Sequence, residues 1–314
     1  MNILVIFTGG TIGSRVKDGW ISPDRSTKYT LTENFEKKFG KICDFTCCEP
    51  YFLLSENLSA KELNILIKTV KENLNKGFDG IIVTHGTDTL QFSAAALSYA
   101  VGSDSIPVVL VSANYPLDDE RTNGNANFKA AVDFIMQKCS KGVFISYKNR
   151  SEEPKFHRGL GVSAYKEADD RIYSLYDRHY AEYNGERIVV SNKNGLSLPE
   201  DDFVLCEKPK ILSVSAMPGD CYAYNPEKYS AVILRPYHSG TLDTANEDFI
   251  AFCKRTEALD IPVFAVNIHS GTAYESAQLF GELNIIPLED MSFADAYMRL
   301  WIALSQNENL KNLF

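Results

Sequence analysis

Hydrophobic and polar positions follow two alternating patterns through the first half of the chain. Short apolar, β-branched runs at 3–7, 80–84 and 107–111 carry no charge and read as strands buried on both faces. Between the first two, Leu58, Leu63, Leu66, Ile67, Val70 and Leu74 recur at helical spacing. Ser59 and Glu62 form a capping-box pattern at the start of that helix, and Gly77 suits its end. Further helices are predicted over 90–101 and 127–136. Such alternation of strand and helix implies a parallel sheet covered on both faces.

From about residue 150 to 209 the pattern degrades into charged, irregular sequence, including Glu152, Glu153, Pro154, Asp169, Asp170 and Arg171. This stretch reads as the tail of a first domain followed by a linker. Alternation resumes with strands at 210–214, 230–234 and 262–266 and a helix at 246–257. A last helix over 292–304 opens on another capping pattern, Ser292 with Asp295. The expected fold is α/β: a larger N-terminal parallel-sheet domain over 1–190, a linker over 191–209 and a smaller C-terminal α/β domain over 210–314.

Composition narrows the function classes. A chain of 314 residues fits two compact domains, and 45% hydrophobic with 23% charged residues is ordinary globular usage. A net charge of −9 argues against a nucleic-acid partner, which normally calls for a basic face. The N-terminus begins directly on a strand without secretory features, and no apolar run nears the ~20 residues that span a bilayer. No membrane partner is expected. Seven cysteines, with Cys43, Cys47 and Cys48 out of zinc spacing, read as reduced structural thiols in a cytoplasmic protein. No metal-ligand spacing or cofactor motif emerges, so neither is expected.

Ligands of open parallel sheets bind beyond the carboxyl ends of the strands. Three such ends are chemically loaded here: Thr8-Gly9-Gly10-Thr11, Thr84-His85-Gly86-Thr87-Asp88-Thr89, and Ser112-Ala113-Asn114. The first turn lacks the lysine of a phosphate loop and the glycine spacing of a dinucleotide fingerprint. It brings backbone close to a small ligand and presents hydroxyls. Thr and Asp also cap helices well, so each turn taken alone has a purely structural reading. Two Thr-rich turns at neighbouring strand ends favour chemistry instead. A hydroxyl needs a neighbour that removes its proton, and a lysine fixed by an aspartate is one such arrangement.

These two motifs resemble the signatures of the bacterial-type L-asparaginases, closest to the cytoplasmic type I branch. The likeness runs nearly the full length. It takes in Ser55-Glu56-Asn57-Leu58, the segment from Pro116 to Gly124, and Met291-Ser292. It implies a two-step hydrolysis of a side-chain amide, with L-asparagine and possibly L-glutamine as substrate. Thr11 would be the nucleophile, supported by Thr87, Asp88 and a lysine. The Thr87 backbone N–H would stabilise the oxyanion. Ser55 would hold the α-carboxylate and Asp88 the α-ammonium, while the Ala113 carbonyl would accept from the leaving amide. Gly10 and Gly86 line the substrate site, and Glu56 is a candidate specificity position. The family builds its sites between paired subunits, which implies a homodimer or homotetramer.

The match departs from the family in two places. Trp20 stands where the family carries a mobile-loop tyrosine, and an indole cannot relay a proton as a phenol can. Tyr29 is the expected substitute. The family lysine is matched by Lys166 only with two residues inserted upstream, and Lys155 is second choice. His85 reads as a hydrogen-bonded structural histidine rather than a triad base. His238 and His269 each open an H-S-G-T turn, which fits either an interface or effector role or simple turn capping. Other readings are a broader glutaminase–asparaginase and a non-catalytic amino-acid sensor. An amidase component for glutamyl-tRNA amidation would carry an extra N-terminal domain, whereas this chain starts at the first strand.

Overall fold

A computed structural model describes every residue except 28, 165–168, 196 and 270–273. It divides into two compact units, Met1–Asp202 and Phe203–Phe314. Unit one opens with β1 (Asn2–Phe7), the hairpin β2 (Ser14–Lys17) and β3 (Trp20–Pro23), then α1 (Thr30–Phe39) and β4 (Asp44–Cys48). There follow α2 (Ala60–Lys71), β5 (Gly80–Thr84), α3 (Leu90–Val101), β6 (Val108–Val111), α4 (Gly124–Met136) and β7 (Val143–Tyr147). Five short strands complete the unit: β8 (Lys155–Arg158), β9 (Val162–Ala164), β10 (Ile172–Ser174), β11 (Ala181–Tyr183) and β12 (Ile188–Val190).

Among the described residues the main sheet has eight strands in the order β12-β11-β8-β7-β6-β5-β1-β4. The strands from β4 to β7 run parallel, as the uncharged runs predict. The parallel-sheet expectation holds for this main part of the sheet, and beyond β7 the strands β8, β11 and β12 extend it in antiparallel pairing. The irregular stretch after residue 150 contains five short strands that its sequence pattern does not announce. These strands are three or four residues long and carry charge, as in Lys155 and Arg158, so neither template fits them. The described residues of 191–210 form no helix or strand.

The strands in the middle of the sheet are wholly buried, as sheets covered on both faces require. Phe35, Phe45 and Phe128 cluster on one face, joining α1 and α4 to the sheet. On α3, Ala94, Ala95, Ala96 and Leu97 are buried on every side, small enough to seat that helix close to its neighbours. The α2 boundary differs from expectation. The helix ends at Lys71 and turns continue to Gly77, which takes a positive φ of 80°. Ser59 bonds the Glu62 carboxylate instead of a helix N–H, so the predicted capping box does not form.

Unit two is a separate α/β layer structure built from β13 (Ile211–Ser215), β14 (Ala231–Arg235), α5 (Glu247–Ala258), β15 (Val263–Ile268), β16 (Ile285–Glu289) and α6 (Phe293–Gln306). Its four strands are parallel and in sequence order. Phe249, Phe252 and Cys253 of α5 pack on one face with Tyr222, while Ala296 and Leu300 of α6 pack on the other against Ile233 and Phe264. The Ser292–Asp295 capping box forms as predicted. No described helix is long and apolar enough to cross a membrane.

Candidate active site

Strand register determines which turns become neighbours. Phe7 of β1 lies beside Thr84 of β5, and Thr84 beside Val111 of β6. The three chemically loaded turns therefore leave the carboxyl edge of the sheet side by side. Thr8 Oγ1 donates to the Thr84 carbonyl at 2.6 Å, and Thr8 N donates to Thr84 Oγ1 at 3.2 Å. These bonds join the first two strand ends through side chains that are themselves buried. The chain from β4 returns along the same edge: Gly10 N donates to Leu53 O at 2.8 Å and Leu53 N to Thr8 O at 3.1 Å.

Glycine is required where these segments meet. Gly10 holds a φ of +74°, and a Cβ there would lie 2.4 Å from the Gly86 nitrogen, inside any van der Waals limit. A Cβ on Gly86 would lie 2.3 Å from Ser55 Oγ. The two signature turns are thus in direct backbone contact, and the Ser55 side chain packs against Gly86. Thr11 follows immediately, half-buried, at the start of a single 3₁₀ turn over Thr11–Gly13. That turn is closed by Gly13 N donating to Gly10 O at 3.0 Å and Ser14 Oγ to the same oxygen at 2.8 Å.

Ser55 is only 4% exposed, and its Oγ donates to Asp88 Oδ2 at 3.5 Å. Its carbonyl accepts from Thr89 Oγ1 at 3.0 Å, a second tie between these loops. Thr87 is half-buried, whereas Asp88 and Glu56 are exposed. His85 is 1% exposed, with Nδ1 at 2.8 Å from the Gly86 carbonyl and Nε2 at 2.8 Å from Ser93 Oγ. Burial holds its pKa below the ordinary value, so the ring is neutral; Nδ1 then carries the proton and Ser93 donates to Nε2. Ala113 is fully buried at the third strand end.

The residues expected to activate Thr11 are placed unequally. Trp20 is 76% exposed on the β2–β3 hairpin. Tyr29 is 46% exposed at the start of α1, and its ring meets Phe7, the last residue of β1, edge-on at 6.1 Å. Lys166 lies outside the described residues. Its flanks are anchored: β9 packs on α3, and Tyr147 at the end of β7 donates to the Asp170 carbonyl at 2.9 Å. Lys155 is held by Glu152 at 3.1 Å, and although burial acts to lower its pKa, nearby carboxylates hold it above the ordinary value.

Residues 2–192 match the family described as "Asparaginase, N-terminal". The chain belongs to the asparaginase family. Its whole length is 25% identical to an L-asparaginase of Thermococcus kodakarensis, spanning 95% of that protein. It is also 23% identical over its whole length to one component of the glutamyl-tRNA(Gln) amidotransferase from Methanosphaera stadtmanae, of which it spans 74%. Among solved structures, the thermostable L-asparaginase from Thermococcus kodakarensis superposes with a TM-score of 0.79 at 22% identity, covering 100% of this chain and 95% of that one. L-asparaginase I from Vibrio cholerae gives the same score and identity over 99% and 95%. These superpositions show a shared fold.

Other parts of this asparaginase-family site escape sequence reasoning. Asn114 and Asn123 exchange hydrogen bonds, backbone N–H to side-chain oxygen in each direction, at 2.9 and 3.1 Å. Asn127 donates to the Ser112 carbonyl at 2.8 Å and accepts from Lys148 N at 2.7 Å. This amide network clamps the strand end carrying Ala113 to the start of α4. The only hint in sequence is an asparagine cluster, Asn123, Asn125 and Asn127, which equally suits a helix start. His238 and His269 are exposed and belong to unit two. The first H-S-G-T turn is closed by its own bonds, Tyr237 N donating to Thr241 O at 3.0 Å, and residues 270–272 of the second lie outside the described residues. Burial pushes the thiols of Cys43 and Cys253 up to about 11 and about 12, leaving them as protonated packing groups.

Proposed function

We propose that the protein hydrolyses L-asparagine to L-aspartate and ammonia, with Thr11 as nucleophile. The observation that carries this reading is the backbone contact of Gly10 with Gly86, which seats the Thr11 turn against the Thr87-Asp88 turn. Thr11 Oγ attacks the side-chain amide carbon while its proton passes toward the lysine. Return of that proton to the amide nitrogen lets the tetrahedral intermediate collapse, expelling ammonia and leaving an aspartyl ester on Thr11. Water then hydrolyses that ester, releasing aspartate and restoring the hydroxyl. Thr87 N–H and Gly10 face the reacting end, and Ser55 with Asp88 takes the α-carboxylate and α-ammonium. Ala113 O accepts from the amide, and Glu56 at the rim tunes the choice between asparagine and glutamine.

Tyr29 is the better candidate for the tyrosine function, because its ring rests on the strand that feeds the Thr11 turn. Lys166 is the better candidate for the lysine, because the flanks of its segment are tied to α3 and to the end of β7 while Lys155 is paired with Glu152. The working unit is a homodimer or homotetramer in a cytoplasmic setting, requiring neither cofactor nor metal. Ammonia release from asparagine by the purified protein, set against Thr11→Ala, tests the reading. A loss of at least about a thousandfold is expected, and equal rates for both proteins would overturn it.

Full-length similarity to the amidotransferase component favours one second reading, an amidase half that feeds ammonia to a partner. Robust hydrolysis of free asparagine by the isolated chain would oppose it. Asparagine binding without ammonia would favour a sensor instead.

A further inference from the structure

The His85 ring bridges α3 and the Gly86–Thr87 peptide. Its Nδ1 donates to the carbonyl of Gly86, and its Nε2 accepts from Ser93 Oγ on α3, both at 2.8 Å. Ser93 is fully buried and His85 nearly so, which sets both bonds away from the protein surface. The described peptide bonds are all trans, and in a trans peptide the C=O and N–H point in opposite directions. Holding the Gly86 carbonyl toward the imidazole therefore directs the Thr87 N–H away from it. Gly10 of the first turn packs against Gly86 N and Cα, fixing the residue from which the Gly86–Thr87 peptide departs.

We propose that His85 is a positioning residue: with Ser93 it locks the Gly86–Thr87 peptide so that Thr87 N–H is aimed as an oxyanion donor. The inference rests on the asparaginase reading above and adds the pair that orients its oxyanion hole. Packing alone does not ask for this arrangement, because an apolar side chain would fill the space without two buried polar groups to satisfy. Ser93 matters through the tautomer. By donating to Nε2 it keeps the proton on Nδ1; without it, the competing tautomer would turn a lone pair toward the Gly86 carbonyl.

Steady-state ammonia release from asparagine by His85→Leu, His85→Asn and Ser93→Ala tests the lock. Leucine keeps the bulk and loses the donor, whereas asparagine restores an N–H near the Nδ1 position. His85→Leu is expected to lower kcat by about tenfold to a hundredfold with KM within about threefold, because a misaimed donor is felt only as charge develops. His85→Asn should recover kcat to within about fivefold of the parent, and Ser93→Ala should fall between them. Equal losses for leucine and asparagine, or a change confined to KM, would overturn the proposal. Nitrogen-15 histidine spectra of the parent protein supply a test independent of turnover and of variant folding. A neutral Nδ1–H ring at His85 is expected, and the Nε2–H tautomer or an imidazolium at neutral pH would refute the lock. A parent protein that shows the Nδ1–H ring but yields no ammonia would refute the asparaginase reading instead.

Discussion

Gly10 and Gly86 show how much of the candidate site rests on the absence of a side chain. In Gly10→Ala the new methyl meets Gly86 backbone at 2.4 Å, and the residue is held at a positive φ. The conformation costs about 1–2 kcal/mol and the overlap about 1–3 kcal/mol. Gly10→Ala should therefore lower the stability of unit one by about 2–5 kcal/mol in urea denaturation, and a change under about 1 kcal/mol would contradict the contact. His157 yields a pH prediction. Burial first, then the neighbouring His179 and Lys155, lower its pKa from 6.5 to about 3. Between those values the unfolded chain binds the extra proton and the folded one does not, so stability is full above about pH 6.5 and falls as pH drops toward 3. Denaturation midpoints across that window should fall with acid, and His157→Gln should flatten the slope. For the activating groups, Lys166→Met should remove most ammonia release while leaving the far-UV spectrum intact. Tyr29→Phe should slow turnover beyond about twofold if Tyr29 serves in place of the loop tyrosine.

At the scale of elements, the same capping sequence pattern has two outcomes. Ser292 accepts from Asp295 N while Asp295 accepts from Ser292 N, closing a capping box at α6. Ser59 instead bonds the carboxylate of Glu62, and the α2 N–H groups gain no side-chain cap. Ser292→Ala should accordingly cost unit two about 1 kcal/mol in thermal or urea denaturation, and Ser59→Ala a few tenths; equal costs would contradict the distinction. Legibility of elements follows burial. The strands over 80–84 and 107–111 are buried and stand out as uncharged, largely apolar runs, and the helix over 90–101 is mostly buried and carries no charge. β8, β11 and β12 lie toward the edge of the sheet, where solvent-facing charge breaks the alternation and three-residue strands leave too little pattern to read.

At the scale of the molecule, the chain forms two α/β units with separate cores: β1 to β12 with α1 to α4 build the first, and the four parallel strands with α5 and α6 the second. The candidate chemistry lies on the first unit, within the region that carries the family match. Sequence alone determines the α/β character, because buried parallel strands and amphipathic helices write distinct periods into the chain. It also marks Thr11, Thr87 and Asp88, because polar residues concentrated at the ends of apolar strands are chemically unusual. Only the tertiary structure decides that Gly10 touches Gly86, that Ser55 Oγ reaches Asp88, and that Ser93 holds His85. Those contacts join segments brought together by strand register and helix docking. Both are properties of the assembled sheet, and a local pattern of side chains carries no record of which backbone will lie beside it.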